Sequence, residues 1–197
     1  MKKRTAKIHR KTKETDITVE LNLDGLGKYE IDTGVGFLDH MLALFARHSG
    51  CDLSVRAAGD VQVDDHHLTE DIGIVLGQAL KQALGDKRGI RRYGDILLPM
   101  DEALMLAAVD CSGRPYFAWD IKLPQPKVGT WDSELAEDFF RALTVNAGLT
   151  LHLRLLNGAN THHIVEAAFK ACARALREAV ALDPRETDVP STKGTLT

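Results

Sequence analysis

One short pattern occurs twice, His66-His67-Leu68-Thr69-Glu70 and His162-His163-Ile164-Val165-Glu166, and each copy opens a long stretch with apolar residues at helical spacing. Residues four apart share a helix face while adjacent residues diverge by about 100°. His66 can therefore aim with Glu70 while His67 points elsewhere, and the same holds for His162, Glu166 and His163. The repeat extends beyond these words. Asp24 and Gly27 align with Asp110 and Gly113, His40 with Asp138, and Gly50 with Gly148, in the same order and with only small gaps between elements. A match in order and element type across both halves is the mark of a duplicated unit.

Within each unit the periodicity names the elements. Ile17, Val19, Leu21 and Leu23 alternate before Asp24-Gly25-Leu26-Gly27, so Asp16 to Thr33 reads as a half-buried hairpin. Gly36 to His48 places Phe37, Leu38, Met41, Leu42, Leu44 and Phe45 on one helical side, and Gly50 can end that helix. A strand at Cys51 to Ala57 precedes a helix from about Asp65 to Leu84, closed by Gly85. The second half repeats the order. Strands fall around Ala103 to Val109 and Arg114 to Ile121, a helix at Ser133 to Asn146, a strand at Leu149 to Leu155, and a helix at His162 to Leu182 before Pro184. Met1 to Lys13 reads as a basic surface strand. The fold class expected is α+β, with duplicated half-units of about 1–90 and 91–183, each a four-stranded, mostly antiparallel sheet covered by two helices. A tail, 184–197, follows within the same single domain.

Five of the eight histidines lie in the two pairs or at His40, a concentration that points to metal chemistry. A single pair reads better as a solvated helix start with a dipole-matched Glu. Two pairs at equivalent places favour ligands, and adjacent histidines should then serve different ions. Imidazole with carboxylate suits manganese, iron, nickel or zinc, and ligand type alone does not choose. The His-Glu-x-x-His order of zinc peptidases is absent. A formal charge of -3 with mixed signs provides no footprint for nucleic acid. No apolar run approaches the length of a membrane span, and three widely spaced cysteines fit a cytoplasmic protein with reduced thiols. His152, in an apolar strand and aligned with Ser54, reads as a satisfied interior histidine, or one that supports a ligand, rather than as a ligand itself; His9 has no partner signature.

Gly36-Phe37-Leu38-Asp39-His40-Met41, Asp64 to Asp71, Gly89 to Gly94, Ser112-Gly113-Arg114-Pro115, Asn160 to Glu166 and Pro190-Ser191-Thr192-Lys193-Gly194 together closely resemble the imidazoleglycerol-phosphate dehydratase family. The resemblance covers essentially the whole chain. It implies a fold like domain 2 of ribosomal protein S5, two manganese ions per site, and a homo-oligomer of twenty-four subunits with sites between neighbours. Metal ligands carried over are His40, His66, His67, Glu70, Asp138, His162, His163 and Glu166. The repeat divides them into His66, Glu70, Asp138, His163 and His40, His67, His162, Glu166. Many family members have histidine where Asp138 stands, so the shorter aspartate is expected to reach the ion either directly or through a bound water.

The remaining positions are scattered, and each taken alone could be an ordinary surface or turn residue. Arg92, Arg114, Ser191, Thr192 and Lys193 match positions that bind substrate phosphate, with the side chains a dianion needs. Arg47, His48 and Lys170 match the substrate region, and Glu14 matches a glutamate expected as acid/base beside Glu70 and Glu166. The implied reaction removes water from imidazoleglycerol phosphate to give imidazole-acetol phosphate in histidine biosynthesis. Two cations on the substrate's ring nitrogens would let it ionise and expel the hydroxyl. A binuclear hydrolase of a phosphorylated or amide substrate, or a metal-storage shell, would use the same ligands for other ends.

Overall fold

The computed structural model describes residues 3–196; Met1, Lys2 and the last tail residue, Thr197, lie outside the described part. The basic leader forms strand β1 (Thr5–Lys11), hydrogen-bonded antiparallel to β2 (Thr15–Asn22). β2 keeps the expected alternation, with Ile17, Val19 and Leu21 buried. β3 (Tyr29–Asp32), α1 (Gly36–Ser49), β4 (Asp52–Gly59) and α2 (His66–Leu84) complete the first half. The second half contains β5 (Tyr93–Met100), β6 (Ala103–Asp110), β7 (Tyr116–Asp120), the short β8 (Lys127–Val128) and β9 (Trp131–Asp132), α3 (Leu135–Ala147), β10 (Thr150–Asn157) and α4 (Thr161–Val180).

The two four-stranded sheets share one topology, β1-β2-β4-β3 and β5-β6-β10-β7, antiparallel except for a final parallel pair in each. The duplication is visible down to single hydrogen bonds. Gly50 and Gly148 both cap their helices in the left-handed conformation, which costs a residue without Cβ little. Their carbonyls accept from Gly27 and Gly113 at 3.0 and 2.9 Å. Each sheet is covered by its own two helices, and the helices of opposite halves meet, α2 on α3 and α1 on α4. The core lies between the sheets, where the rings of Phe139, Phe140 and Phe169 pack with centroids 4.6 to 5.3 Å apart. Cys51, Cys111 and Cys172 are free and buried.

Two expectations are corrected and one strand is added. Asp16 to Thr33 is not a hairpin, because β4 lies between β2 and β3. Alternation reports which face is buried and not which strand is the neighbour. The Asp24 to Gly27 segment instead folds against the end of α1, and the Asp52 carboxylate accepts from the Leu26 and Lys28 N–H groups. β5 was not legible as a strand, since Gly94 and Pro99 interrupt its pattern; it is an edge strand, where proline is tolerated. His152 is exposed on the outer face of β10, 5.5 Å from the Tyr116 ring, and is not an interior residue.

Candidate metal centre and anion pocket

Asn160 caps α4, its side-chain oxygen accepting from the N–H groups of His162 and His163, so that both rings leave the first turn in fixed directions. The rings stand at 84° to one another, and those of His66 and His67 at 86°. His162 Nε2 lies 3.1 Å from Glu166 Oε2, one turn further along, and His40 Nε2 on α1 reaches the same oxygen at 3.5 Å. The three ligand atoms all lie within 4.8 Å of one another. Two imidazoles and a carboxylate at that spacing fit a divalent cation of the first transition row.

Glu166 is only 6% exposed. Burial works against its charge, but the ammonium of Lys170 at 2.5 Å and then the His162 ring outweigh it and hold the carboxyl below its usual range. His48, on the last turn of α1, is pushed down by burial and by the charges of Lys170 and Arg174, which favours its neutral form. Arg47 beside it is exposed.

The pseudo-equivalent cluster is looser. His66 Nδ1 lies 3.7 Å from Asp138 Oδ2, matching the repeat's pairing of Asp138 with His40, while Glu70 is exposed and joins no three-ligand group among the described residues. The second histidine of each pair turns away. His67 faces Asp60 at 3.1 Å, and His163 faces Glu102 at 2.7 Å; these hydrogen bonds raise both imidazoles above their ordinary range. Glu102 is held at about 2 by the His163 ring and by the N–H groups of Asn160 and Ala159. Glu14 sits in the exposed β1–β2 turn with its charge near His67.

The scattered basic residues converge elsewhere. Arg92, Arg114, Ser191, Thr192 and Lys193 line a cavity of about 860 Å³. Arg92, in the left-handed region at φ 72, pairs with Asp110 at 2.8 Å and donates to the Pro190 carbonyl at 3.0 Å, fastening the tail over the cavity. Arg114 is exposed and approaches Asp110 only to 4.0 Å, which leaves its guanidinium available to an anion.

Cavity and cluster stand at opposite ends of the second sheet. Arg92 precedes Tyr93, which pairs with Asp110, whereas Lys170 touches Met100, which pairs with Ala103 at the other end. The Arg92 N–H bonds the Ala179 carbonyl, and from Glu166 to Ala179 helix α4 rises about 20 Å.

Sequence reasoning passed over Asp60 and Glu102, and named Asp71 only as part of a family motif. The buried Asp71 on α2 accepts from Arg10 and from Thr15 Oγ1, tying the turn that carries Glu14 to the helix that carries Glu70. An acid in a buried helical stripe was a signal for Asp71; Asp60 and Glu102 had none, since both lie outside the repeated words.

A duplicated α+β architecture with imidazole–carboxylate clusters at its paired helix starts defines the class, an enzyme built from two fused half-units. The chain belongs to the imidazoleglycerol-phosphate dehydratase family, whose model matches residues 33–176. It is 62% identical to the imidazoleglycerol-phosphate dehydratase of Desulforamulus reducens over 196 residues, all of both chains. Identity to that of Jannaschia sp. is 60% over 194 residues, 98% of this chain and 100% of the relative. The crystal structure of the Staphylococcus aureus enzyme superposes with a TM-score of 0.83 at 47% identity, covering 91% of this chain and 99% of that one. The Pyrococcus furiosus enzyme, in complex with (S)-C348, also gives 0.83, at 42% identity over 96% and 100%. The chain is accordingly a carbon–oxygen lyase of histidine biosynthesis.

Proposed function

We propose that the enzyme dehydrates D-erythro-1-(imidazol-4-yl)glycerol 3-phosphate to 3-(imidazol-4-yl)-2-oxopropyl phosphate, with two manganese ions at each site. The observation that carries this reading is the convergence of His40, His162 and Glu166 from α1 and α4. In this reading that set holds one ion, completed by His67, and His66, Glu70 and Asp138 hold the other, completed by His163. Bound there, the cations supply Lewis acidity toward the two nitrogens of the substrate ring. Arg92, Arg114, Ser191, Thr192 and Lys193 bind the phosphate and orient the three-carbon chain. The bond broken joins the ring-attached carbon to its hydroxyl, which leaves as water. The neighbouring carbon gives up its proton, and the resulting enol becomes the ketone. Glu14, beside His67, is the group we assign to that proton transfer. Lys170 keeps Glu166 ionised and so available as a ligand.

A substrate whose ring and phosphate are joined by three carbons is far too short to bridge the rise of about 20 Å along α4 within one chain. Cluster and cavity must then be supplied by different copies. This favours a homo-oligomer with sites between subunits, which we take to be a 24-mer. No helix among the described residues is long and apolar enough to cross a membrane, and we place the protein in the cytoplasm. Incubating manganese-loaded enzyme with the imidazole phosphate and following mass and free phosphate tests the reaction. The expected product is lighter by one water with its phosphate retained. Phosphate release without the ketone would replace this reading with a metal hydrolase.

A further inference from the structure

We propose that Glu102 and Asp60 are positioning residues that lock the outward histidine of each pair, His163 and His67, in the tautomer that leaves Nε2 free to bind a cation. The inference rests on the manganese reading above and adds two residues that lie outside the duplicated words. An ionised carboxylate can only accept, so the ring nitrogen facing it carries the proton. His163 Nδ1 is 2.7 Å from Glu102 Oε2, and His67 Nδ1 is 3.1 and 3.3 Å from the two oxygens of Asp60. His163 Nε2 has no hydrogen-bond partner among the described residues; Asp101 Oδ2 lies 3.6 Å from it, beyond hydrogen-bond reach. A metal-binding imidazole needs this arrangement, one nitrogen held by an acceptor and the other offering its lone pair.

The two carboxylates are not related by the duplication. Asp60 follows β4, whereas Glu102 lies in the turn between β5 and β6. The halves thus reach the same orientation of the same ring from different places in the chain, which favours a requirement on the ring over an inheritance from the repeat.

The surroundings of the two acids differ in a way that makes the inference sharp. The other oxygen of Glu102, Oε1, accepts from the N–H groups of Asn160 at 2.8 Å and Ala159 at 3.2 Å. A glutamine at this position must keep its carbonyl oxygen on those two donors and therefore turns its NH₂ toward His163. Nδ1 then has to accept, the proton moves to Nε2, and the ligand lone pair is lost. The Asp60 side chain has hydrogen bonds only to His67 among the described residues, so an asparagine there can rotate its oxygen toward the ring.

Manganese titration of wild type, Glu102→Gln and Asp60→Asn, with ¹⁵N-histidine spectra of the metal-free proteins, tests this. Expected is a loss of roughly 10- to 100-fold in affinity for one ion in Glu102→Gln, little change in Asp60→Asn, and about tenfold or more in Asp60→Ala. The His163 spectrum should pass from Nδ1–H to Nε2–H in Glu102→Gln. The melting temperature of this variant without metal should stay at the wild-type value, because the side-chain oxygen that accepts from the Asn160 and Ala159 N–H groups is retained. Wild-type manganese affinity in Glu102→Gln, or an unchanged tautomer, overturns the inference while leaving the function standing. A wild type that binds no manganese overturns both.

Discussion

Asp138 stands ten residues before its helix-capping glycine, as His40 does, and its Oδ2 lies 3.7 Å from His66 Nδ1. On α3 it would otherwise pass for one of two acids in a first helical turn, where any carboxylate is favoured by the dipole. The two readings separate on removal of the side chain. Asp138→Ala is expected to lower occupancy of one of two metal sites and cut turnover by roughly 10- to 100-fold or more, whereas Asp138→His keeps both ions and much of the rate. Metal analysis with steady-state rates decides it; an alanine variant with two tightly held ions and the parent kcat would return Asp138 to the surface charges. Its candidacy was legible because the repeat aligned it with a histidine. The contacts of Asp60 and Glu102 with His67 and His163 were not, since a carboxylate that meets a ring across a loop needs no fixed spacing from it.

The helices that carry these residues are held by close backbone approaches. A Cβ on Gly73 of α2 would fall 2.7 Å from the Phe139 carbonyl oxygen, and one on Gly77 would fall 2.6 Å from that of Leu143, both on α3. Neither neighbour is the flexible end of a side chain, so a methyl at 77 must push two helices apart. Gly77→Ala is expected to destabilise by about 1–3 kcal/mol. At about 2–4 °C per kcal/mol for a chain of this size, the melting midpoint should fall by several degrees. Gly36→Ala, where a Cβ meets nothing within 4 Å, is the control and should leave it nearly unchanged. Helix existence and the buried stripe of α2 were readable from period 3.6, and Gly85 from its place after the last apolar residue. That α2 would meet α3 was not, because glycines inside a helix do not say whose backbone approaches.

For the whole molecule, the separation of the His40, His162 and Glu166 cluster from the cavity lined by Arg92 and Arg114 makes a prediction that a self-contained monomer cannot satisfy. Glu166→Gln impairs the cluster and Arg114→Ala impairs the cavity, so each assembly alone should turn over poorly. If the two groups come from different copies, dissociating and reassembling an equal mixture restores about one quarter of the sites, those drawing an intact cluster from one variant and an intact cavity from the other. Recovered activity near that fraction is expected from mixed assemblies. No recovery in mixtures shown by mass to contain both chains would place cluster and cavity in one subunit.

The sequence by itself determined the duplication, the class of fold and the apolar faces of its helices and of β2. Those properties are local or periodic: a helix face follows from spacing, a left-handed cap from glycine. Tertiary structure alone decided that β4 separates β2 from β3, that His152 faces outward, and that Arg92, Arg114 and Lys193 share a cavity with the tail folded over it. It alone set that cavity at the far end of the sheet from His40, His162 and Glu166. The physical reason is common to all four. Alternation and charge specify what a residue needs, water or core or counter-charge, whereas which distant segment supplies it is chosen by the packing of two sheets and four helices around one core.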